Sequence, residues 1–230
     1  MRKEKNVALV LAAGSGSRMK TEKNKQFLTV GGMPVIARTL AAFSKSDIID
    51  EIVVAAKPDE VSEIKKIIAA HGIKKISKII CGGATRQKSV YNGLLSISGA
   101  DFVFIHDGAR PFLNNELIKR LFEAAKIHGA AAPGTIPRDT VSEVDEKGFF
   151  SGSKPRSMLR NMQTPQVFKA EMIKKAHIAA ADKDFEFTDD CSLYASFGGA
   201  VYITEGEEYN IKLTVPEDLI LAQRIIGEME

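Results

Sequence analysis

The chain has 230 residues, enough to bury one sizeable α/β core. Its 44% hydrophobic and 27% charged residues are ordinary for a globular protein in water. A net charge of +3, from 32 basic against 29 acidic residues, offers no broad basic surface, so neither a nucleic-acid nor a membrane partner is expected.

In chain order, five largely charged residues first lead into the apolar run Val7 to Ala13. This imitates a signal peptide, but the run is at the short limit for one and ends in glycines and charges. It reads as a strand buried on both faces of a parallel sheet. The spacing then predicts a helix over 34–44, a strand over 51–57, an amphipathic helix over 58–71 stopped by Gly72, and a strand over 76–81. A helix over 85–96, a strand over 102–106 and a helix over 114–128 follow. This alternation means βαβ units, hence a Rossmann-like, doubly wound, mostly parallel sheet in one domain over 1–230.

The pattern breaks near Pro133. Residues 135–168 are polar, with strand-like alternation over 140–144 and a turn over 145–148, so a hairpin is expected. An excursion of that length is a lid or an interaction arm, and an arm reaching a second subunit is the preferred reading. Helices over 170–181 and 189–197, a strand over 200–204 and a helix over 216–229 complete the chain. No stretch approaches the roughly 20 apolar residues of a membrane span. Cys81 and Cys191 are isolated, without C-x-x-C spacing, and suit free thiols in a reducing cytoplasm.

Five clusters carry chemistry. After the first strand come Ala13, Gly14 and Gly16, with Arg18, Lys20, Lys23 and Lys25 alongside. Glycines let backbone N–H groups approach an anion, and the cations neutralise phosphate charge. The loop is not G-x-G-x-x-G, because Met19 stands where the last glycine belongs, and no G-x-x-x-x-G-K-[ST] is present. The second cluster, 82–90, is a glycine turn with Thr85 as a helix cap in the simpler reading; in the functional one, Gly83 and Ser89 meet a nucleobase. The third holds Asp107, either a partner of Arg110 or a carboxylate for Mg²⁺, which takes one or two acids plus phosphate and water. His106 reads as packed rather than metal-bound, since no other His lies at metal-site spacing. The fourth comprises Arg138, Asp139, Thr140, Arg156 and 163–166, which by composition is a solvated loop. The fifth pairs Thr188-Asp189-Asp190, a good helix start, with Lys212 in 211–214.

These clusters fall, in order, on the motifs A-A-G-x-G-x-R-M with K-Q-F, G-G-x-x-R-x-x-S-V, H-D-G-A-R-P, Q-T-P-Q, and T-D-D with I-K-L-T. Over nearly the whole chain this resembles the sugar-phosphate nucleotidyltransferases, in particular their cytidylyltransferases acting on polyol phosphates. The resemblance implies the nucleotide-diphospho-sugar transferase type of fold, CTP as donor, and Mg²⁺ on Asp107. It implies Arg18, Lys25 and Lys212 as catalytic cations, and Ala13, Gly14, Gly16, Gly83, Ser89 and Asp107 as nucleotide contacts. Thr140, Arg156, Thr188 and Asp189 become acceptor contacts, the first two on a dimerisation arm at about 135–168 that makes the protein a homodimer. The acceptor it implies is 2-C-methyl-D-erythritol 4-phosphate, of isoprenoid precursor synthesis. Ribitol 5-phosphate is the alternative, and a nucleotide-binding module without catalysis ranks third. The family motif usually reads H-D-A-A-R-P, so Gly108 departs by one methyl group, expected to alter loop flexibility more than chemistry.

Overall fold

The central strand, β1 (Asn6–Ala12), is buried on both faces: Ala8, Val10 and Ala12 join one core layer, Val7 and Leu9 the other. Two-sided burial explains why its sequence is a continuous apolar run rather than an alternation. The structure, a computed structural model, describes residues 3–14, 24–181, 183 and 186–229. After β1 come α1 (Val35–Lys45), β2 (Glu51–Ala56), α2 (Val61–Ala70), β3 (Ile76–Cys81), α3 (Arg86–Ser96), β4 (Phe102–Asp107) and α4 (Asn115–His128). Strands β3, β2, β1 and β4 lie side by side in that order, all parallel. The helix starts follow from local chemistry. Thr85 accepts from Lys88 N–H and Asn114 from Leu117 N–H, capping α3 and α4. At the far end of α4, Gly129 takes the left-handed conformation that ends a helix cheaply.

The second half departs from the expected alternation. β5 (Ala130–Thr135) follows α4 directly, then an exposed two-stranded hairpin, β6 (Ser142–Val144) and β7 (Phe150–Ser153), forms the expected arm. The chain re-enters the sheet through β8 (Asn161–Met162) and β9 (Gln166–Lys169), so the end of the polar excursion is sheet, not arm. β9 inserts antiparallel between β4 and β5, which makes the sheet mixed. α5 (Ala170–Ala180), α6 (Asp190–Ser196), β10 (Tyr202–Glu205), parallel to β5, and α7 (Glu217–Met229) follow. Among the described residues eight strands make up this sheet.

Helices α1, α2 and α4 cover one face of the sheet, and α3, α5 and α6 the other. A third cluster, including Val30, Phe112, Leu213 and Ile225, seats α7 beside the cleft end of the sheet. Among the described residues no helix is long and apolar enough to cross a membrane.

Candidate active site

The carboxyl ends of β1, β3 and β4 open into a cleft of about 510 Å³. It sits where the strand order reverses, the usual ligand site of such sheets. Ala13, Gly14 and Lys25 line it from the first turn, Gly83 and Ser89 from the second, Asp107 from β4, and Lys212 from the coil before α7. These seven residues, far apart in sequence, were all expected at one site. Gly16 and Arg18 lie outside the described residues. Thr140 and Arg156 do not line the cleft; both stand exposed on the arm. Thr188 is exposed as well, and Asp189 caps α6 through Ser192 N–H at 2.8 Å.

Asp107 is the electrostatic centre. Its Oδ2 lies 2.7 Å from Lys212 Nζ and 3.9 Å from Arg110 Nε, and its Oδ1 3.3 Å from Arg86 Nε. Burial alone would raise its pKa, but Arg86, Lys212 and Arg110 hold it well below the ordinary carboxylate range. The local Asp107–Arg110 pair is therefore present but is the longest of the three. Arg86 continues the chain of charges, with Nη1 2.8 Å from Asp190 Oδ2. It braces the carboxylates rather than standing free to read a base.

A buried hydrogen-bond relay fixes the backbone of Asp107. Its N–H donates to Thr164 Oγ1 at 3.1 Å, and the threonine hydroxyl lies 3.0 Å from His106 Nδ1. His106 Nε2 is 3.1 Å from the Arg110 carbonyl, which can only accept, so Nε2 carries the hydrogen and Nδ1 accepts from Thr164. Burial pushes the His106 pKa down to about 4, and its ring packs edge-on against Phe43. His106 is thus a neutral structural residue, as expected. Thr164 of the T-P-Q motif has the same task, and Gln166 orders α6 by accepting from Asp190 and Cys191 N–H while donating to Asp189 Oδ2.

Close approach dictates the second turn. A Cβ on Gly82 would lie 2.3 Å from Ala13 Cβ, and one on Gly83 would lie 2.4 Å from Lys88 Cβ. Ser89 Oγ accepts from Gly83 N–H at 3.0 Å and donates to Thr85 O at 2.9 Å. The Ser89 hydroxyl therefore holds the turn and keeps one lone pair for a ligand.

Sequence reasoning did not assign Lys57, which lines the cleft from the end of β2, or Asn210. Asn210 is fully buried, donates to Thr164 O, and accepts Arg110 Nη1 at its carbonyl, which ties the Lys212 coil to the Asp107 turn. The position of Lys57 at a strand's carboxyl end was the available signal for it; nothing local marked Asn210.

With this geometry in place, the comparison with known proteins is direct. A family model described as 2-C-methyl-D-erythritol 4-phosphate cytidylyltransferase matches residues 6–228. The chain belongs to this family. A Clostridium acetobutylicum member with that description is 41% identical over 222 residues, 96% of this chain and 97% of the relative. A Clostridium perfringens member is 44% identical over 96% of this chain and 99% of its own. The crystal structure of 4-diphosphocytidyl-2C-methyl-D-erythritol synthase from Anaerococcus prevotii matches with a TM-score of 0.86 at 30% identity, covering 97% of this chain and 99% of that one. At Gly108 the structure shows close packing. A Cβ there would lie 2.8 Å from the Leu11 carbonyl oxygen and 3.0 Å from Ile36 Cδ1.

Proposed function

We propose that the chain transfers the cytidylyl group of CTP to 2-C-methyl-D-erythritol 4-phosphate, giving 4-diphosphocytidyl-2-C-methyl-D-erythritol and pyrophosphate. The observation that carries this reading is the convergence of Lys25, Lys212 and Asp107 with the Gly83–Ser89 turn in one cleft, in a member of that family. The base rests on the second turn, against Gly83 and Ser89, and the triphosphate on the first, against Ala13, Gly14 and Gly16. An ionised oxygen of the acceptor phosphate attacks the α-phosphorus, a new P–O bond forms, and the bond to the pyrophosphate oxygen breaks. No enzyme nucleophile is needed, so catalysis is positioning and charge stabilisation. Arg18, Lys25 and Lys212 offset the negative charge that grows on the phosphate oxygens.

Mg²⁺ fits this donor set. Among the described residues no three His, Cys, Asp or Glu side chains gather, so these residues alone do not cage a metal. One carboxylate, Asp107, with phosphate oxygens and water is the arrangement Mg²⁺ favours, and the ion supplies charge neutralisation at the phosphates.

The acceptor side belongs to a homodimer in this reading. Val144, Phe149, Phe150 and Met158 on or beside the hairpin are 64%, 69%, 70% and 76% exposed. We read these bare apolar side chains, all within residues 144–158, as an interaction surface. The arm covers it against a second copy and presents Thr140 and Arg156 to that copy's cleft, where the guanidinium fork holds the acceptor phosphate. Thr188 and Asp189 flank the same acceptor.

The test is pyrophosphate release from CTP, with and without Mg²⁺, offering 2-C-methyl-D-erythritol 4-phosphate or ribitol 5-phosphate. Mg²⁺-dependent release with the first acceptor alone is expected. Release with ribitol 5-phosphate alone, or none from folded protein that binds CTP, would overturn the reading.

A further inference from the structure

Glu60 ends the short turn Pro58–Glu60 between β2 and α2. A carboxylate beside a triphosphate loop is out of place on charge alone, since it repels the ligand. Its side chain is only 12% exposed, and both oxygens are engaged. Oε1 accepts from Asn24 Nδ2 at 2.9 Å and Oε2 from Gln26 Nε2 at 2.7 Å. Those amides flank Lys25 in sequence. Asn24 Nδ2 also donates to the Gly14 carbonyl at 2.7 Å, which draws the first turn against the same clamp. Lys57 Nζ, 3.9 Å from Oε1, offsets the charge. Between the two held amides, Lys25 Nζ reaches the Leu213 carbonyl at 2.8 Å, next to Lys212.

We infer that Glu60 is a positioning residue for cytidylyl transfer: its carboxylate grips Asn24 and Gln26 and so aims Lys25 at the phosphate end of the cleft. Here two amide donors meet two different oxygens of one side chain. An ionised carboxylate supplies both, whereas glutamine would set its own NH₂ against one of the donors. Placement matters because a misplacement near 1 Å costs on the order of a hundredfold in rate. The inference rests on the reading above, in which Lys25 serves transfer from CTP.

The experiment is a double-mutant cycle in kcat, with CTP, 2-C-methyl-D-erythritol 4-phosphate and Mg²⁺, over wild type, Glu60→Ala, Lys25→Ala and the double variant. If Glu60 acts through Lys25, Glu60→Ala alone lowers kcat about tenfold, but by less than about twofold in the Lys25→Ala background. A purely structural residue would multiply its loss in both backgrounds, and that result overturns the inference. Amide exchange at Phe27 and Leu28, whose N–H groups bond Asn24 O and Lys25 O, reads the clamp without chemistry and in the better-packed Glu60→Gln. Faster exchange there is expected, and wild-type exchange overturns the inference. Were wild type itself to transfer nothing, the functional reading would fail while the exchange result still judged the clamp.

Discussion

Asp107 and Arg156 occupy opposite kinds of surroundings. The Asp107 carboxylate faces three cations, and its backbone is pinned by a buried threonine and histidine. Arg156 stands on an exposed arm, as does Thr140, and neither side chain has a polar partner among the described residues. The contrast separates two ways of building a site. The cleft proposed for the nucleotide is already built from paired, buried charges, which suits catalysis by fixed charges. The groups proposed for the acceptor, Thr140 and Arg156, are exposed and lie outside the cleft, so the proposal gives them to a second copy's site.

Changes in the cleft should therefore cost a great deal locally. Lys212→Ala leaves Arg86 on Asp107 and, in the proposed mechanism, removes a cation that offsets transition-state charge. A loss in kcat of roughly a hundredfold, about 3 kcal/mol, is expected from steady-state kinetics. Wild-type turnover would show that the cleft is less committed than its geometry implies.

The pinned backbone has a pH signature. The folded-state pKa of His106 is lowered from 6.5 to about 4, so the neutral form stabilises the fold. That stability is complete above about 6.5 and drains as pH falls towards 4, because only the unfolded chain binds the proton in that window. The loss is about 3 kcal/mol, read as a falling urea midpoint. His106→Gln should flatten the dependence in that window. Asp107, whose pKa is lowered, contributes stability present above the ordinary carboxylate value and lost only at lower pH. A smaller effect is expected at Gly108. Gly108→Ala pushes a methyl against the Leu11 carbonyl, and overpacking of this kind costs about 1–3 kcal/mol in thermal or urea unfolding.

The same contrast explains what could be read from sequence. β1 was legible because burial on both faces leaves an apolar run, and α3 and α4 because Thr85 and Asn114 cap them locally. β5, with the sequence AAAPGT, was not legible: its alanines, proline and glycine carry poor strand propensity, and pairing on both edges overrides it. The antiparallel entry of β9 is likewise a matter of distant partners, with Phe168 opposite Val103. At the site, only the family resemblance marked Lys212, whereas Lys25 and Asp107 announce themselves by charge beside a strand's carboxyl end. Glu60 does not, because its partner Gln26 lies 34 residues away and an acid argues against phosphate. Asn210 is hidden for the same reason, with its partner carbonyl 46 residues distant.

Subunit mixing tests most directly whether one chain's cleft is completed by another chain's arm. Lys25→Ala and Arg156→Ala proteins, each expected to be nearly inactive alone, are combined and allowed to exchange, with exchange confirmed by a mass tag. Each mixed dimer then holds one cleft with an intact Lys25 facing an intact Arg156. Activity should return to about a quarter of wild type, since half the dimers are mixed and one of their two sites works. No recovery after confirmed exchange would contradict the account and place the arm over its own cleft.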